Sequence, residues 1–319
     1  MINGEVVAVV IPSYRVKKHI LAVLAAIGQE CDRIYVVDDC CPDGSGVLVQ
    51  EQCKDPRVTV VFNEKNKGVG GAVLKGYEQA ITDGAGILVK IDGDGQMNPS
   101  LLSRFATPIA DGLADYTKGN RFYDMKYISR MPVRRIIGNL GLSFFAKAST
   151  GYWSLFDPTN GYTAIHAKLA AKLPKDKISS RYFFETDMLF RLNTLRAKVL
   201  DIPMDALYAD EESNLKIYKV LGEFLYKHLR NYHKRIVYNY FLRDFSIASL
   251  ELVIGIFLLL FGSYFGIYNW WKNAHLGMVT PAGTVMLAVV PIIVGIQLLL
   301  NFLSYDISGV PDKTQHPLL

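Results

Sequence analysis

Short apolar segments alternate with longer amphipathic ones in the N-terminal part of the chain. The apolar segments are rich in β-branched residues, a pattern typical of buried parallel strands. Four segments fit this pattern, at residues 6–11, 33–39, 58–62 and 86–91. Apolar residues at helical spacing over 16–30 and 66–81 predict helices between the strands. This alternation predicts an α/β fold with a mostly parallel sheet, whose ligands bind at the carboxyl ends of the strands.

Polar clusters follow three of these predicted elements. Asp38 and Asp39 end the second strand, Lys67 and Gly68 open the second helix, and an acidic loop follows the fourth strand. All three positions fall at the carboxyl edge of a parallel sheet. Three polar clusters on one edge favour a ligand site over three unrelated surface turns.

The acidic loop has the sequence Asp92-Gly-Asp94-Gly-Gln96. Residues i and i+2 at a strand end project to the same side, and two adjacent carboxylates favour a shared cation. Oxygen ligands suit Mg²⁺ or Mn²⁺, which then bridges to phosphate groups. An isolated sequence of this kind is more often an acidic surface turn. Its place at the strand end instead predicts a metal site formed by Asp92, Asp94 and Gln96.

Two long apolar runs lie near the end of the sequence. Residues 245–268 contain one charge, that of Glu251, and residues 282–303 contain none. Each run is long enough to cross about 30 Å of hydrocarbon. The loop between them carries Trp270 and Trp271, which suit a membrane interface. A transmembrane helical hairpin is therefore favoured over two buried core helices.

Basic residues predict the orientation of this hairpin. Five of them precede the first run: Lys227, Arg230, Lys234, Arg235 and Arg243. The loop between the runs has only Lys272, so the positive-inside rule places the N-terminal domain in the cytoplasm. Residues 221–240 have one apolar and one basic face, which predicts an amphipathic helix lying on the membrane. A second interfacial segment is expected near residues 129–148.

Composition agrees with a membrane-attached protein. The chain has 319 residues, of which 50% are hydrophobic, and its mean hydropathy is +0.17. A net charge of only +5, without a basic-aromatic module, argues against nucleic-acid binding. Four cysteines without paired spacing predict reduced thiols rather than zinc. The expected organisation is a globular domain at 1–212, a juxtamembrane helix at 213–243, two spans within 244–304 and a cytoplasmic tail at 305–319.

Four motifs resemble those of a known family. They are Ile11-Pro-Ser-Tyr14, Val37-Asp38-Asp39, Asn66-Lys67-Gly68 and Asp92-Gly-Asp94-Gly-Gln96. Over roughly residues 5–210 the chain resembles the GT-A domain of family 2 glycosyltransferases. With its apolar hairpin it looks like the polyprenyl-phosphate hexose synthases, which are the dolichyl- or undecaprenyl-phosphate mannosyl- and glucosyltransferases. The chain departs from the family at Arg15-Val16, where relatives usually carry Asn-Glu.

The resemblance implies roles for individual residues. Donor binding is expected from Pro12, Tyr14, Asp38, Asp39, Lys67, Gly68 and Asp92, with Asp38 or Asp39 at the base. Metal binding is expected from Asp94, together with Asp92 and Gln96. The acceptor phosphate is expected at Arg121 and at Arg134 or Arg135, although these cations also suit plain attraction to anionic lipid headgroups.

Three further carboxylates are candidate catalytic residues beside Asp94 and Arg121. Asp157 begins a loop, Asp157-Pro-Thr-Asn-Gly161, that resembles the one lining the sugar and acceptor pocket in the family. Glu185 and Asp187 start a predicted helix at the place where many relatives hold the acidic group nearest the reacting carbon. Helix capping accounts for these two carboxylates equally well.

The expected reaction is the inverting, metal-dependent transfer of a hexose from a UDP- or GDP-hexose to a polyprenyl phosphate. The enzyme is expected in the plasma or inner membrane, or in the endoplasmic reticulum of a eukaryote. The sequence leaves the oligomeric state open, and the resemblance implies that any assembly of copies would form through the hairpin. Phosphate is largely ionised near pH 7, so a strong general base is not required.

Three other functions are weighed against this one. A transferase acting on a hydroxyl of a lipid-linked saccharide would need a base such as Asp187 or Asp157. A nucleotide-sugar-binding membrane protein without catalysis would not need the intact acidic loop. A transporter is disfavoured, because two spans offer neither a pore nor a network of intramembrane charges.

Overall fold

The computed structural model describes residues 1–123, 133–205 and 217–319, and it describes their side chains except at 133–140 and 217–221. These residues form two compact units. Unit 1 comprises Met1–Tyr232 and Pro311–Leu319, and unit 2 comprises His233–Val310.

Unit 1 is built on a seven-stranded sheet. Its strands are β1 (Val7–Ser13), β2 (Arg33–Asp38), β3 (Val58–Phe62), β4 (Ile87–Lys90), β5 (Tyr116–Asn120), β6 (Thr163–His166) and β7 (Val199–Pro203). Their spatial order is β3-β2-β1-β4-β6-β5-β7. All neighbours are parallel except β6, which runs antiparallel to both β4 and β5. The expected mostly parallel α/β sheet is confirmed, and the four predicted strands are β1 to β4.

The helices of unit 1 connect and cover these strands. They are α1 (Ile20–Ala25), α2 (Ser45–Gln52), α3 (Gly68–Thr82), α4 (Leu102–Ala110), α5 (Val133–Thr150), α6 (Ala167–Lys172) and α7 (Phe184–Thr194). The next helix, α8 (Ile217–Val237), begins in unit 1 and ends in unit 2. Helix α1 is shorter than the predicted 16–30, because the chain first makes a turn in which the Val16 carbonyl accepts the amides of His19 and Ile20.

Both faces of strand β1 are buried, which explains its continuous apolar sequence. Val9 and Ile11 belong to a core cluster that includes Ile20 of α1 and Phe105 of α4. On the other face, Val10 lies so close to α3 that a Cβ added at Gly76 would collide with it. Helices therefore cover both faces of the sheet, and a ligand can reach the sheet only at the ends of its strands.

The order of the strands determines where a ligand can bind. Strands β2 and β3 lie on one side of β1, and β4 lies on the other. In a parallel sheet of this kind, the connections leave a crevice at the carboxyl ends of the two strands where the order reverses. The residues at these two ends are the Pro12–Tyr14 segment, which includes the last two residues of β1, and the acidic loop after β4.

Unit 2 contains the helices α9 (Ile247–His275) and α10 (Ala282–Ser308). Within the part of the chain that the structure describes, these two helices are long and apolar enough to cross a membrane. They approach closely at glycines, where no Cβ intervenes. A Cβ added at Gly262 would lie 2.6 Å from the Ala288 carbonyl oxygen, and one added at Gly295 would lie 2.8 Å from the Leu259 nitrogen.

A buried ion pair joins the end of α8 to the end of α10 within unit 2. Arg235 and Asp306 are 1% and 4% exposed, and two guanidinium nitrogens lie 2.5 and 2.8 Å from the carboxylate oxygens. The Tyr240 hydroxyl donates to the same carboxylate at 2.7 Å, from a π-helical turn at Tyr238–Arg243. Leaving either charge buried without its partner would lower the stability of the fold, so the pair holds the ends of α8 and α10 together.

The glycine contacts in unit 2 predict a position-specific effect of one methyl group. Gly295→Ala should destabilise the hairpin by about 1–3 kcal/mol, because the added Cβ meets backbone atoms that have no room to move. Gly283→Ala is the matched control, since no atom lies within 4 Å of its added Cβ. Thermal unfolding of the purified variants in one detergent provides the measurement. Equal stability of the two variants would contradict the close approach at Gly295.

Candidate active site

A cavity of about 650 Å³ opens in unit 1 at the carboxyl edge of the sheet. Nine of the residues predicted for the site line it: Pro12, Tyr14, Asp39, Gly68, Asp92, Asp94, Gln96, Arg121 and Glu185. Four others are not among the described residues that line it: Asp38, Lys67, Asp157 and Asp187. The structure therefore brings together most of a site whose members lie far apart in the sequence.

The carboxylates of Asp38 and Asp39 are occupied by backbone amides. Asp39 accepts the amides of Lys67 at 2.8 Å and Gly68 at 2.7 Å, and it also accepts the side-chain amide of Asn63 at 2.8 Å. Asp38 accepts the amides of Cys41 and Gly46, each at 2.8 Å. Asp39 thus positions the start of α3 at the cavity wall, whereas Asp38 holds the loop that leads into α2.

Gly68 is required by the geometry at the start of α3. Its φ is +80°, and a Cβ at this position would lie 2.5 Å from the Ser180 carbonyl oxygen. The close approach lets the Gly70 amide donate to the same carbonyl at 2.9 Å. Any side chain at residue 68 would push the segment before α7 away from the cavity.

The acidic loop after β4 presents oxygen atoms to the cavity. Asp94 accepts the Gln96 amide at 3.0 Å within a tight turn, and Gly95 in that turn has a φ of +79°. Among the described residues, no cluster of three or more His, Cys, Asp or Glu side chains could hold a metal by itself. The two carboxylates and one amide fit a hard divalent cation that takes its remaining ligands from water and phosphate.

A buried lysine connects the acidic loop to helix α7. The Lys90 ammonium lies 2.8 Å from Asp92 and 3.3 Å from Glu185, and it donates to the Gly161 carbonyl at 3.1 Å. Its side chain is only 1% exposed. Burial alone would lower the pKa of Lys90, but the carboxylates of Asp92 and Glu185 raise it above its ordinary value. Lys90 therefore stays charged and holds both carboxylates.

The two candidate carboxylates of α7 have different surroundings. Glu185 lines the cavity, and Asp187 is 4% exposed. Asp187 accepts the amide of Ser179 at 2.8 Å and the side-chain amide of Asn231 at 3.0 Å. In this arrangement Asp187 positions its neighbours, and Glu185 is the carboxylate of α7 that faces the cavity.

Arg121 and Asp157 form a bidentate ion pair. The Nε and Nη2 atoms of Arg121 donate to Asp157 at 2.8 and 3.0 Å. Asp157 is buried, which tends to raise its pKa, but the hydrogen bonds from Arg121 hold the pKa below its ordinary value. The Arg121 side chain keeps 36% of its surface exposed at the cavity. Arg134 and Arg135 lie in helix α5, and their side chains fall outside the described residues.

Sequence reasoning missed three cationic residues in or beside the cavity. Lys90 and Arg181 line it. Lys118 is buried beside it and donates to the Asn160 carbonyl at 2.7 Å, and burial lowers its pKa to about 8 although Asp157 opposes the shift. Lys90 is the last residue of β4, and Lys118 lies within β5. A charged residue in a predicted buried strand was therefore the sequence feature that could have identified both lysines. Arg181 lies in a loop, where the sequence offers no such signal.

The lysine bridge predicts a coupled loss of stability. Lys90→Met should cost about 2–4 kcal/mol, because it leaves the partly buried carboxylates of Asp92 and Glu185 without their counter-charge. The double variant Lys90→Met/Glu185→Gln should recover part of that loss. Lys175→Met is the control, since it breaks an exposed Lys–Glu pair of 3.0 Å, for which about 0–1 kcal/mol is expected. Thermal unfolding measures all three. A Lys90→Met protein as stable as Lys175→Met would rule out the bridge.

Comparisons with known proteins agree with this geometry. UDP-N-acetylglucosamine--dolichyl-phosphate N-acetylglucosaminyltransferase of Methanococcus voltae is 27% identical over 220 residues, which are 65% of this chain and 87% of that protein. Polyprenol monophosphomannose synthase of Mycolicibacterium smegmatis is 28% identical over 201 residues, which are 61% of this chain and 75% of that protein.

A solved structure of similar fold is glucosyl-3-phosphoglycerate synthase from Mycobacterium tuberculosis in complex with Mn²⁺, uridine-diphosphate and glucosyl-3-phosphoglycerate. Its TM-score is 0.51 at 18% identity, over 73% of this chain and 80% of that one. The sequence profile of Glycosyl transferase family 2 matches residues 8–173, more than half of the chain. The expected family is confirmed: the chain belongs to glycosyl transferase family 2 and is a glycosyltransferase with a GT-A fold.

Proposed function

We propose that the chain transfers a hexose from a nucleotide-sugar to a membrane polyprenyl phosphate, with inversion at the anomeric carbon. The cavity carries this proposal, because it brings an acidic loop suited to a metal-bound diphosphate together with the guanidinium groups of Arg121 and Arg181. Guanidinium groups bind phosphate through paired hydrogen bonds. The two relatives described above are named for transfer to dolichyl phosphate and for synthesis of polyprenol monophosphomannose, which supports the same acceptor class.

The donor is proposed to lie along the strand ends. Its base would lie near Asp39 and Gly68, and Pro12 and Tyr14 line the same wall. Lys67 approaches this wall through its backbone, since its amide is held by Asp39. The diphosphate would then extend towards Asp94. A UDP- or GDP-hexose suits this orientation, because its negatively charged diphosphate would lie beside the residues proposed to bind the metal.

The metal is proposed to be Mg²⁺ or Mn²⁺, held by Asp94 with Gln96 and Asp92. When bound, it stabilises negative charge on the departing nucleoside diphosphate. The M. tuberculosis enzyme of similar fold was crystallised with Mn²⁺ and uridine-diphosphate. In this chain Asp92 is paired with Lys90, and Asp94 lines the cavity two residues further along the same loop.

The surroundings of the carboxylates favour a phosphate acceptor over a hydroxyl acceptor. A hydroxyl needs a general base, whereas a phosphate monoester is already largely ionised near pH 7. Asp187 is bound to Ser179 and Asn231, Asp157 is bound to Arg121, and Glu185 lies beside Lys90. Each candidate base therefore already takes part in a hydrogen bond or an ion pair. Positioning of the acceptor phosphate by arginine then becomes the main requirement.

The membrane location is proposed from the two apolar helices. Helices α9 and α10 would form a transmembrane hairpin, with unit 1 in the cytoplasm and Trp270 and Trp271 at the opposite interface. Helix α8 would lie on the membrane, and copies of the chain would assemble through the hairpin. An integral enzyme of the plasma or inner membrane, or of the endoplasmic reticulum in a eukaryote, meets its lipid acceptor at this surface.

Transfer to a hydroxyl of a lipid-linked saccharide remains the second candidate, because Asp157 contacts the cavity residue Arg121 and Asp187 shares the first turn of α7 with the cavity residue Glu185. It predicts that Asp187→Asn abolishes turnover and that activity falls on acidification. Radiolabel transfer to bare polyprenyl phosphate distinguishes the two acceptors directly. A non-catalytic nucleotide-sugar-binding protein would give no labelled lipid at all.

Removal of Asp94 should abolish turnover in a protein that still folds. Asp94→Ala should lower the rate by at least two orders of magnitude, on the order of 3 kcal/mol, because a metal ligand is lost. Asp176→Ala is the control, since it removes an exposed carboxylate from a short turn away from the cavity. Binding of Mn²⁺ in the presence of UDP, followed by electron paramagnetic resonance, is the second readout. Metal-dependent turnover in folded Asp94→Ala would refute the metal site.

The two cavity arginines should affect the acceptor more than the donor. Arg181→Ala and Arg121→Lys should each lower kcat/KM for a polyprenyl phosphate by roughly ten- to a hundred-fold, the value of one charge-assisted contact. Lysine is used at residue 121 because an uncharged side chain would leave the buried Asp157 unpaired. Lys172→Ala, at an exposed position of α6, is the control.

Steady-state kinetics with the acceptor as varied substrate provide the measurement. Nucleotide binding should be nearly unchanged in both arginine variants. Unaltered acceptor kinetics in these variants, together with an inactive Asp187→Asn, would refute the phosphate acceptor.

A further inference from the structure

The start of strand β5 holds a buried carboxylate that binds a distant part of the chain. Asp115 is fully buried, and it accepts the backbone amides of Gln315 and His316 at 2.8 Å each. The Nδ1 atom of His316 lies 2.7 Å from the same carboxylate. The Lys198 amide occupies the other oxygen at 2.8 Å. Asp115 thus binds two consecutive amides and one ring of a segment 200 residues away.

The His316 ring is enclosed on unit 1. It stacks on the ring of His166, with centroids 4.2 Å apart and planes 15° from parallel, and it is only 7% exposed. Burial lowers the pKa of His166 to about 4, so this ring is neutral near pH 7 and offers a flat apolar surface. The tail segment Pro311–Leu319 is therefore a specifically bound part of unit 1.

The binding site for this segment lies at the edge of the sheet opposite the cavity. Strand β6 is antiparallel to both β4 and β5, so β4 and β5 run in the same direction. Asp115 precedes β5, whereas the acidic loop follows β4. The tail segment therefore does not contribute to the cavity, and its role is separate from donor and metal binding.

The tail segment is connected to unit 2 by a short stretch of chain. Asp306 is fixed within unit 2 by Arg235 and Tyr240, and Gln315 is fixed on unit 1 by Asp115. The nine residues from 306 to 315 span at most about 32 Å when fully extended. Unit 1 is thus attached to unit 2 twice: once through the continuous helix α8, and once through this bound segment.

We propose that Asp115, held in place by the Lys198 amide, and His166 form a peptide-binding site for the chain's own tail segment, and that its occupation tethers the catalytic unit to the membrane hairpin. The idea rests on the proposed function, in which the acceptor is a membrane lipid. Two attachments restrict the catalytic unit more than one, which raises the effective concentration of a membrane-bound acceptor at the cavity. A water-soluble acceptor gains nothing from such a tether.

A full-length variant that cannot bind its tail tests the tether. Gln315→Pro/His316→Ala removes one amide donor and the ring, and Lys313→Ala at a neighbouring exposed position is the matched control. Transfer is measured to undecaprenyl phosphate in phosphatidylcholine vesicles and to a water-soluble short-chain polyprenyl phosphate. The variant should lose at least about tenfold with vesicles and stay within about twofold with the soluble acceptor. An equal loss with both acceptors would overturn the proposal.

A synthetic peptide of residues 309–319, added in trans, separates tethering from simple stabilisation. The labelled peptide should bind the variant, as measured by fluorescence anisotropy, and should raise its unfolding temperature. It should not restore transfer to vesicles, because it makes no covalent connection to the hairpin. Restored transfer, or no peptide binding, would overturn the proposal.

The failure of the proposed function has a different signature. Parent protein that transfers to neither acceptor would refute the lipid-phosphate reaction and with it the purpose of the tether. The anisotropy measurement would still decide whether Asp115 and His166 bind the tail segment.

Discussion

The site depends on one interaction, the burial of the Lys90 ammonium among oxygen atoms. A lysine at the end of a central strand would be unfavourable if it stood alone, since burial favours the neutral amine. The Asp92 and Glu185 carboxylates and the Gly161 carbonyl compensate for the lost hydration. In return, the charge brings three separate segments to one point: the strand that carries the acidic loop, the loop before β6, and helix α7.

The same rule applies to other buried charges among the described residues. Arg121 is matched to Asp157 at the cavity, and Arg235 to Asp306 in unit 2. Asp38 and Asp39 have no cationic partner in these contacts and are instead matched by backbone amides. A backbone amide can bind a carboxylate only if its own segment holds a fixed conformation. The two aspartates therefore determine the conformation of the loops that donate these amides. Asp38 and Asp39, which are predicted to bind the donor, therefore also have a structural task.

Much of the fold was predictable from the sequence, because strands buried on both faces must be apolar throughout. The place of the acidic loop at the cavity was predictable for a related reason: the loop follows a buried strand, and the carboxyl ends of parallel strands form the ligand-binding edge of the sheet. The position of Asp187 was not predictable, since helical spacing does not state how α7 is rotated about its axis. Lys90 was missed because its partner Glu185 lies 95 residues away, and only the folded sheet places the two together.

Helix α8 makes direct contact with the helix that carries Glu185. Asn231 of α8 donates to Asp187 at 3.0 Å, and His228 packs its ring against Phe183, just before α7. Asp187 and Glu185 share the first turn of α7. If α8 lies in the headgroup layer as proposed, a displacement of α8 would be transmitted through Asn231 to the turn of α7 that carries Glu185. The composition of the surrounding lipid would then alter the cavity wall, although none of that lipid is consumed in the reaction.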